Sequence, residues 1–199
     1  LPPQMVYDQI IAVMEDIHPS VIKIGMLSNV QVAAVVADAL ERYSIPIILD
    51  PVMVSSSGHR LLSAEAQEVL KERLLPMAQL VTPNIPEMEA LSDMPLLTIS
   101  DKYNAAKHLL SLGVQSVLLK GGHEEGEVKV DILYQKSPQG IVTCSFSSDT
   151  LNTRNIHGAG CTLSSAIAAY MARGLALKEA VSSAKIYITE AIKAGADIS

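Results

Sequence analysis

The segment NIHGAGCTLSSAIAAY, residues 155–170, sets a cysteine at the head of an apolar helical run, directly behind Gly158-Ala159-Gly160. Glycines on both sides of Ala159 let the backbone take conformations that other residues resist, and let a ligand come close to the chain. A helix start leaves its first N–H groups without intrahelical partners and carries the positive end of the helix dipole, so a small anion, phosphate above all, is well held there. Cys161 then lies beside the anion. The local alternative is a glycine-rich helix entry with a small packed residue.

Further groups follow successive apolar runs: Gly25-Met26, Asp50-Pro51-Val52, Thr82-Pro83-Asn84 with Glu87, and Lys120-Gly121-Gly122-His123. Two carboxylates, a carboxamide, a cation and an anion-binding helix start are the parts of a magnesium-dependent phosphoryl transfer. Each also has a plain local reading. Asp50 suits a turn before proline. Asn84 can cap the helix IPEMEAL, with Glu87 completing a capping box. Lys120 can snorkel from a strand end, although the glycines behind it favour phosphate contact. His123 reads as an ordinary loop histidine, and Met26 and Cys144 as packed apolar groups. The combination at successive strand ends, rather than any one residue, argues for a phosphate site.

The elements that must position these groups alternate. MVYDQIIAVMEDI has helical spacing and VIKIGML reads as a buried strand. Ser28 is the expected cap of NVQVAAVVADALERY, and IPIILD is the next strand. The helix AEAQEVLKERLL is expected to break at Pro76 before the strand AQLVTP. Ser100 is the expected cap of DKYNAAKHLLSL, followed by the strand QSVLLKGG. VDILYQ and GIVTCSFS flank KSPQG as an antiparallel hairpin, and two helices close the chain. Alternation of this kind predicts a mainly parallel sheet with helices on both faces, whose ligands collect beyond the carboxyl ends of the strands.

At 199 residues the chain is expected to be a single domain, 1–199, with enough length for a real core. Apolar residues make up 49% and aromatics only 4%, so aliphatic side chains must fill the interior. A net charge of −6 with no basic run argues against nucleic acid or an anionic membrane surface as partner. Cys144 and Cys161 form neither a disulfide framework nor a zinc spacing, which points to a reducing cytoplasm. Apolar stretches such as VAAVVADAL are cut by charges before they could span a bilayer.

KIGML, LDPVMVSSSG, LVTPNIPEMEAL, LLKGGH, VDILY and NTRNIHGAGCTLSSAIAA, in this order, resemble the hydroxymethylpyrimidine and phosphomethylpyrimidine kinases of thiamine biosynthesis, in the ribokinase-like superfamily. The resemblance implies an α/β, three-layer αβα ribokinase-like fold with a mainly parallel central sheet and an antiparallel hairpin near one edge. It implies ATP and Mg2+, and transfer of the γ-phosphate to the hydroxymethyl group of 4-amino-5-hydroxymethyl-2-methylpyrimidine, then to its monophosphate. By motif, Cys161 is the base for the acceptor proton and also lines the acceptor pocket. Gly158, Ala159, Gly160 and Cys161 form the anion hole. Lys120, Thr82, Asn84, Glu87 and Gly122 are nucleotide contacts, Asp50 and Glu87 stand near the metal or its waters, and Met26 and Val52 touch the pyrimidine ring. A homodimer is implied as well. Family members usually show THGTGC where this chain has Ile156 and Ala159, and they carry a glycine-rich segment ahead of these motifs and chain beyond Ser199.

Three other functions compete. A pyridoxal kinase of the same superfamily also phosphorylates a hydroxymethyl on a flat heteroaromatic ring, although such members with a loop cysteine tend to carry another after DPVMV, where this chain has Ser55. A hydrolase or thiol transferase would use Cys161 as nucleophile with His157 as base. A nucleotide-binding regulator would bind without turnover.

Overall fold

The computed structural model describes residues 1–53, 61–121, 128–151, 153 and 158–195. One six-stranded sheet, in the spatial order β1 to β6, organises them. β1 (Ile22–Ile24), β2 (Ile47–Leu49), β3 (Leu80–Val81) and β4 (Ser116–Leu119) run parallel, while β5 (Val128–Ser137) and β6 (Gly140–Asp149) form an antiparallel hairpin at one edge. The expected fold is the observed one.

Apart from Lys23 in β1 and Ser116 in β4, the parallel strands are apolar, because both of their faces are covered. Side chains alternate across the sheet: Ile47 and Leu49 point into one core, and Ile48 between them into the other. The first core is closed by α2 (Val30–Leu40), α3 (Ala64–Val69), α5 (Ile85–Ser92) and α6 (Ile99–Ser111), with α1 (Pro3–Asp16) packed on α2. The second is closed by α7 (Ala159–Ala172) and α8 (Leu177–Lys193). No helix among the described residues is long and apolar enough to cross a membrane.

Three local expectations are corrected. Asn29, not Ser28, caps α2, since Asn29 is the extended residue at the helix boundary and its Oδ1 accepts the Val32 N–H at 2.9 Å. Thr98, not Ser100, caps α6: Thr98 and Asp101 form a reciprocal capping box that starts the helix earlier and leaves Ser100 inside its first turn. Pro76 does not break its helix. A π-helical segment, Leu70–Leu74, continues α3 into α4 (Leu75–Met77), and Pro76 sits in that final turn, where the ordinary hydrogen-bond ladder has already been re-registered.

Parallel register brings the strand ends level. Ile24 lies opposite Leu49, and Leu49 opposite Val81, so the residues that follow them emerge side by side. Asn84 and Lys120 extend this edge with a parallel bridge of their own. α7 crosses over β1 and β2, which carries its first turn to the same edge.

Candidate active site

Asp50, the residue after β2, is 1% exposed. Its Oδ1 accepts from the Thr82 hydroxyl at 3.2 Å and from Lys120 Nζ at 3.1 Å, and its Oδ2 accepts from the Ser164 hydroxyl at 3.0 Å. Lys23 Nζ stands 4.0 Å from Oδ2. Groups from β1, the β3 and β4 ends and α7 therefore meet on one carboxylate. A buried charge persists only with such partners. The turn reading of Asp50 leaves this network unexplained.

Lys120 is placed between two acids, because its Nζ is also 3.8 Å from Glu87 Oε2. Glu87 has a second task. Its Oε2 accepts the Asn84 N–H at 2.8 Å while Asn84 Oδ1 accepts the Glu87 N–H at 2.8 Å, a complete capping box for α5. The local reading of this pair holds, and the box also aims a carboxylate at the lysine. Thr82 is fully buried and its hydroxyl is committed to Asp50, so it reaches the edge only through that residue.

The glycine loop lies at this cluster. Gly158 caps α7 with φ at +78°, a left-handed conformation suited to glycine, and supplies no side-chain hydrogen bond to the helix. The first turn of α7 carries no acidic residue. A Cβ built on Gly160 would stand 3.4 Å from Lys120 Nζ, so the loop backbone and the ammonium are neighbours. Ser164, which bonds Asp50, also lies 3.1 Å from the carbonyls of Gly160 and Cys161 and ties this turn to the buried acid. Cys161 is exposed, whereas Cys144 is half-buried against the second core as a packed thiol.

Met26 follows β1 and is 55% exposed, which removes the reading of it as a core residue. Val52 is half-buried, and its N–H donates to the Asp50 carbonyl at 2.8 Å. The two side chains leave adjacent strand ends. Gly122, His123, Ser55, Ile156 and His157 lie outside the described residues.

Sequence reasoning passed over Lys23, Ser164, Asp131 and Lys185. Lys23 is the lone charge within VIKIGML, and Ser164 sits one turn after Cys161 on the helix face that meets the sheet; those two placements were the available signals. Asp131 is 4% exposed, receives the Gly121 N–H at 2.9 Å and pairs with Lys185.

For a divalent cation, no group of three or more His, Cys, Asp or Glu is assembled among the described residues. Two carboxylates flanking an ammonium suit a largely hydrated Mg2+ shared with phosphate oxygens, which keeps most of its waters and takes one or two protein carboxylates. The donor set fits such an ion.

Burial raises the Glu87 carboxyl above its ordinary value of 4.5; Lys120 and the Asn84 N–H oppose the rise, and the Asp50 charge adds to it. The folded protein thus holds this proton more tightly than the unfolded chain. The resulting stability is complete below 4.5 and is lost as pH climbs through the raised folded value. Glu87→Gln keeps an oxygen for the Asn84 N–H and abolishes this titration. In metal-free protein, thermal melts from about pH 4 to about pH 7 should show the variant gaining on the wild type as pH rises. Parallel curves would show that Glu87 does not contribute this dependence.

Comparison with known proteins agrees with the geometry. The family model for phosphomethylpyrimidine kinase matches residues 1–199. A hydroxymethylpyrimidine/phosphomethylpyrimidine kinase of Aquifex aeolicus is 40% identical over 97% of this chain and 74% of its own length. The thiamine biosynthesis bifunctional protein of Geobacter sulfurreducens is 44% identical, and this chain spans 39% of it. Among solved structures, the phosphomethylpyrimidine kinase of Clostridium difficile superposes with a TM-score of 0.83 at 41% identity, covering 96% of this chain and 77% of that one. An ADP complex of Bacillus subtilis pyridoxal kinase superposes with a TM-score of 0.88 at 32% identity, covering all of this chain and 73% of that one. The match along the whole sequence, on a fold shared with these kinases, shows that the chain belongs to the phosphomethylpyrimidine kinase family.

Proposed function

We propose that this protein is an ATP-dependent kinase that phosphorylates 4-amino-5-hydroxymethyl-2-methylpyrimidine and then its monophosphate. The observation that carries the reading is the meeting of Lys120, the bare Gly160 backbone and the start of α7, which has no side-chain cap, over the buried Asp50. Amides of Gly158 to Cys161 would cradle the migrating phosphoryl group while Lys120 leans over from Asp50 to its oxygens. Both donors would then be preorganised where charge is spread in the transition state, which is where such donors lower a barrier most.

Asp50 and Glu87 would hold Mg2+ through its waters, and the ion would neutralise phosphate oxygens of ATP. Cys161, exposed on the first turn of α7, would take the proton of the acceptor hydroxyl. A loose transition state asks for little base strength before the acceptor attacks, so a thiol need only collect the proton late. Met26 and Val52 would offer apolar contact to the ring.

Pyridoxal is the second acceptor to weigh, because the pyridoxal kinase superposes slightly better than the phosphomethylpyrimidine kinase. Sequence identity runs the other way and carries more weight, since both kinases share the fold and only side chains can choose the ring. ADP release with ATP, Mg2+ and each alcohol separates the readings. The pyrimidine alcohol and its monophosphate should be turned over with kcat/KM at least about tenfold above that of pyridoxal, a difference of ~1.4 kcal/mol in transition-state binding. Faster turnover of pyridoxal would reassign the acceptor. Nucleotide binding without ADP release from any alcohol would favour the regulator.

A further inference from the structure

Asp131 of β5 and Lys185 of α8 bring opposite charges into the layer between sheet and helices, whose other members include Leu118, Leu133, Ile167 and Val181. The Asp131 and Lys185 side chains are 6% and 12% exposed, and Lys185 Nζ meets Asp131 Oδ2 at 2.5 Å. As a source of stability this is a poor choice, since an apolar pair of similar volume often does as well or better. An apolar pair could not do what Asp131 Oδ1 does, which is to accept the N–H of Gly121 at 2.9 Å. Gly121 is buried and hemmed in: a Cβ there would fall 2.1 Å from the Val130 carbonyl oxygen.

Gly121 directly follows Lys120, whose own N–H donates to the Pro83 carbonyl at 2.9 Å. The two peptide groups flanking the Lys120 Cα are therefore anchored on opposite sides, one on the chain after β3 and the other on β5. With both held, the Lys120 side chain leaves the backbone in a set direction. That direction delivers its ammonium to Asp50 and to the edge of the Gly160 backbone.

We propose that Asp131, charge-balanced by Lys185, is a positioning residue that fixes the backbone at Lys120 and Gly121 so that Lys120 meets the phosphates of the nucleotide. The proposal rests on the phosphoryl-transfer reading above. α8, which contributes no group to the Asp50 cluster among the described residues, thereby acts on the site through one ion pair. Small displacements of a positioned cation are costly in rate.

The test compares Lys185→Met, Lys185→Arg and the apolar pair Asp131→Leu with Lys185→Met. Lys185→Met should speed amide exchange around Gly121 in the free protein and weaken ATP about tenfold, in calorimetric Kd and in KM, leaving KM for the alcohol within about twofold. Lys185→Arg, which restores the counter-charge, should return ATP affinity to within about threefold of wild type. Should Lys185→Met fail to fold, as removal of one member of a buried pair allows, the apolar pair, which removes the acceptor of the Gly121 N–H together with both charges, supplies the same measurements with the same expected loss. A folded variant with altered melting temperature but unchanged ATP Kd and KM would overturn the proposal, as would Lys185→Arg behaving like Lys185→Met. Wild-type protein that binds ATP but releases no ADP with any alcohol would instead remove the kinase reading, leaving the ATP Kd series to judge the Lys185 variants.

Discussion

Cys161→Ala should lower turnover of the aminopyrimidine alcohol by about a hundredfold or more, while ATP affinity stays within about twofold. The substitution removes only the thiol. The backbone donors of the α7 start are unchanged, and Ser164 keeps the same turn tied to Asp50. The proposed charge stabilisation by those amides, Lys120 and Mg2+ would survive, so the variant should still exceed the uncatalysed rate. Because Cys161 is exposed at the helix start, its truncation leaves no buried cavity, and the melting temperature should hold. ADP release in steady state, with calorimetry for ATP, reads both quantities. Turnover equal to wild type would end the role of the thiol as proton acceptor and leave the phosphate cradle standing.

Asp50→Ala should have the opposite profile, losing stability and activity together. The carboxylate is the shared acceptor of Thr82, Lys120 and Ser164, with Lys23 at 4.0 Å. Deleting it leaves two hydroxyls and two ammonium groups to find other partners in a nearly closed space. Lys120 and Lys23 side chains are 14% and 20% exposed, so water recovers part of the loss. We therefore take the low end of the cost of breaking a buried pair, about 3 kcal/mol, which corresponds to roughly 6–12 °C in melting temperature for a chain of this size. Activity should fall at least about a hundredfold, since Lys120 loses its anchor and the proposed magnesium waters lose one of two carboxylates. Asp50→Asn, which preserves shape, should recover most of the stability and little of the activity. An Asp50→Ala protein that melts like wild type would show that the cluster is held by packing alone.

The two predictions differ because Cys161 is exposed and Asp50 is a buried shared acceptor, and the two residues were also legible to different degrees. The anion-site reading of Gly158 to Cys161 is local, since glycines, a helix start and a thiol lie within a few consecutive positions, whereas the role of Cys161 as base comes only from the family resemblance. Asn84 and Glu87 were legible in the same way, as a capping box three residues apart, and the box is formed. The parallel strands were legible as largely apolar runs, because both faces of such a strand are covered and only Lys23 and Ser116 interrupt them. Caps were less so. Ser28 and Ser100 have the right side chain in nearly the right place, but a cap is chosen by which residue takes the extended conformation at the boundary, and that belongs to Asn29 and Thr98.

Asp50 lay beyond local reading. Followed by proline at a strand end it is an ordinary turn residue, and nothing within ten positions says that it collects four partners. Those partners, Lys23, Thr82, Lys120 and Ser164, come from four separate elements, the last of them 114 residues away along the chain. Their convergence depends on the parallel register of β1 to β4 and on α7 crossing β1 and β2, distances that spacing in the sequence does not encode. Periodicity and capping are governed by neighbours a few residues apart and could be read from the amino acids directly. The charge network, including the Asp131–Lys185 pair behind Lys120, exists only where packed layers bring remote strands and helices within hydrogen-bond reach.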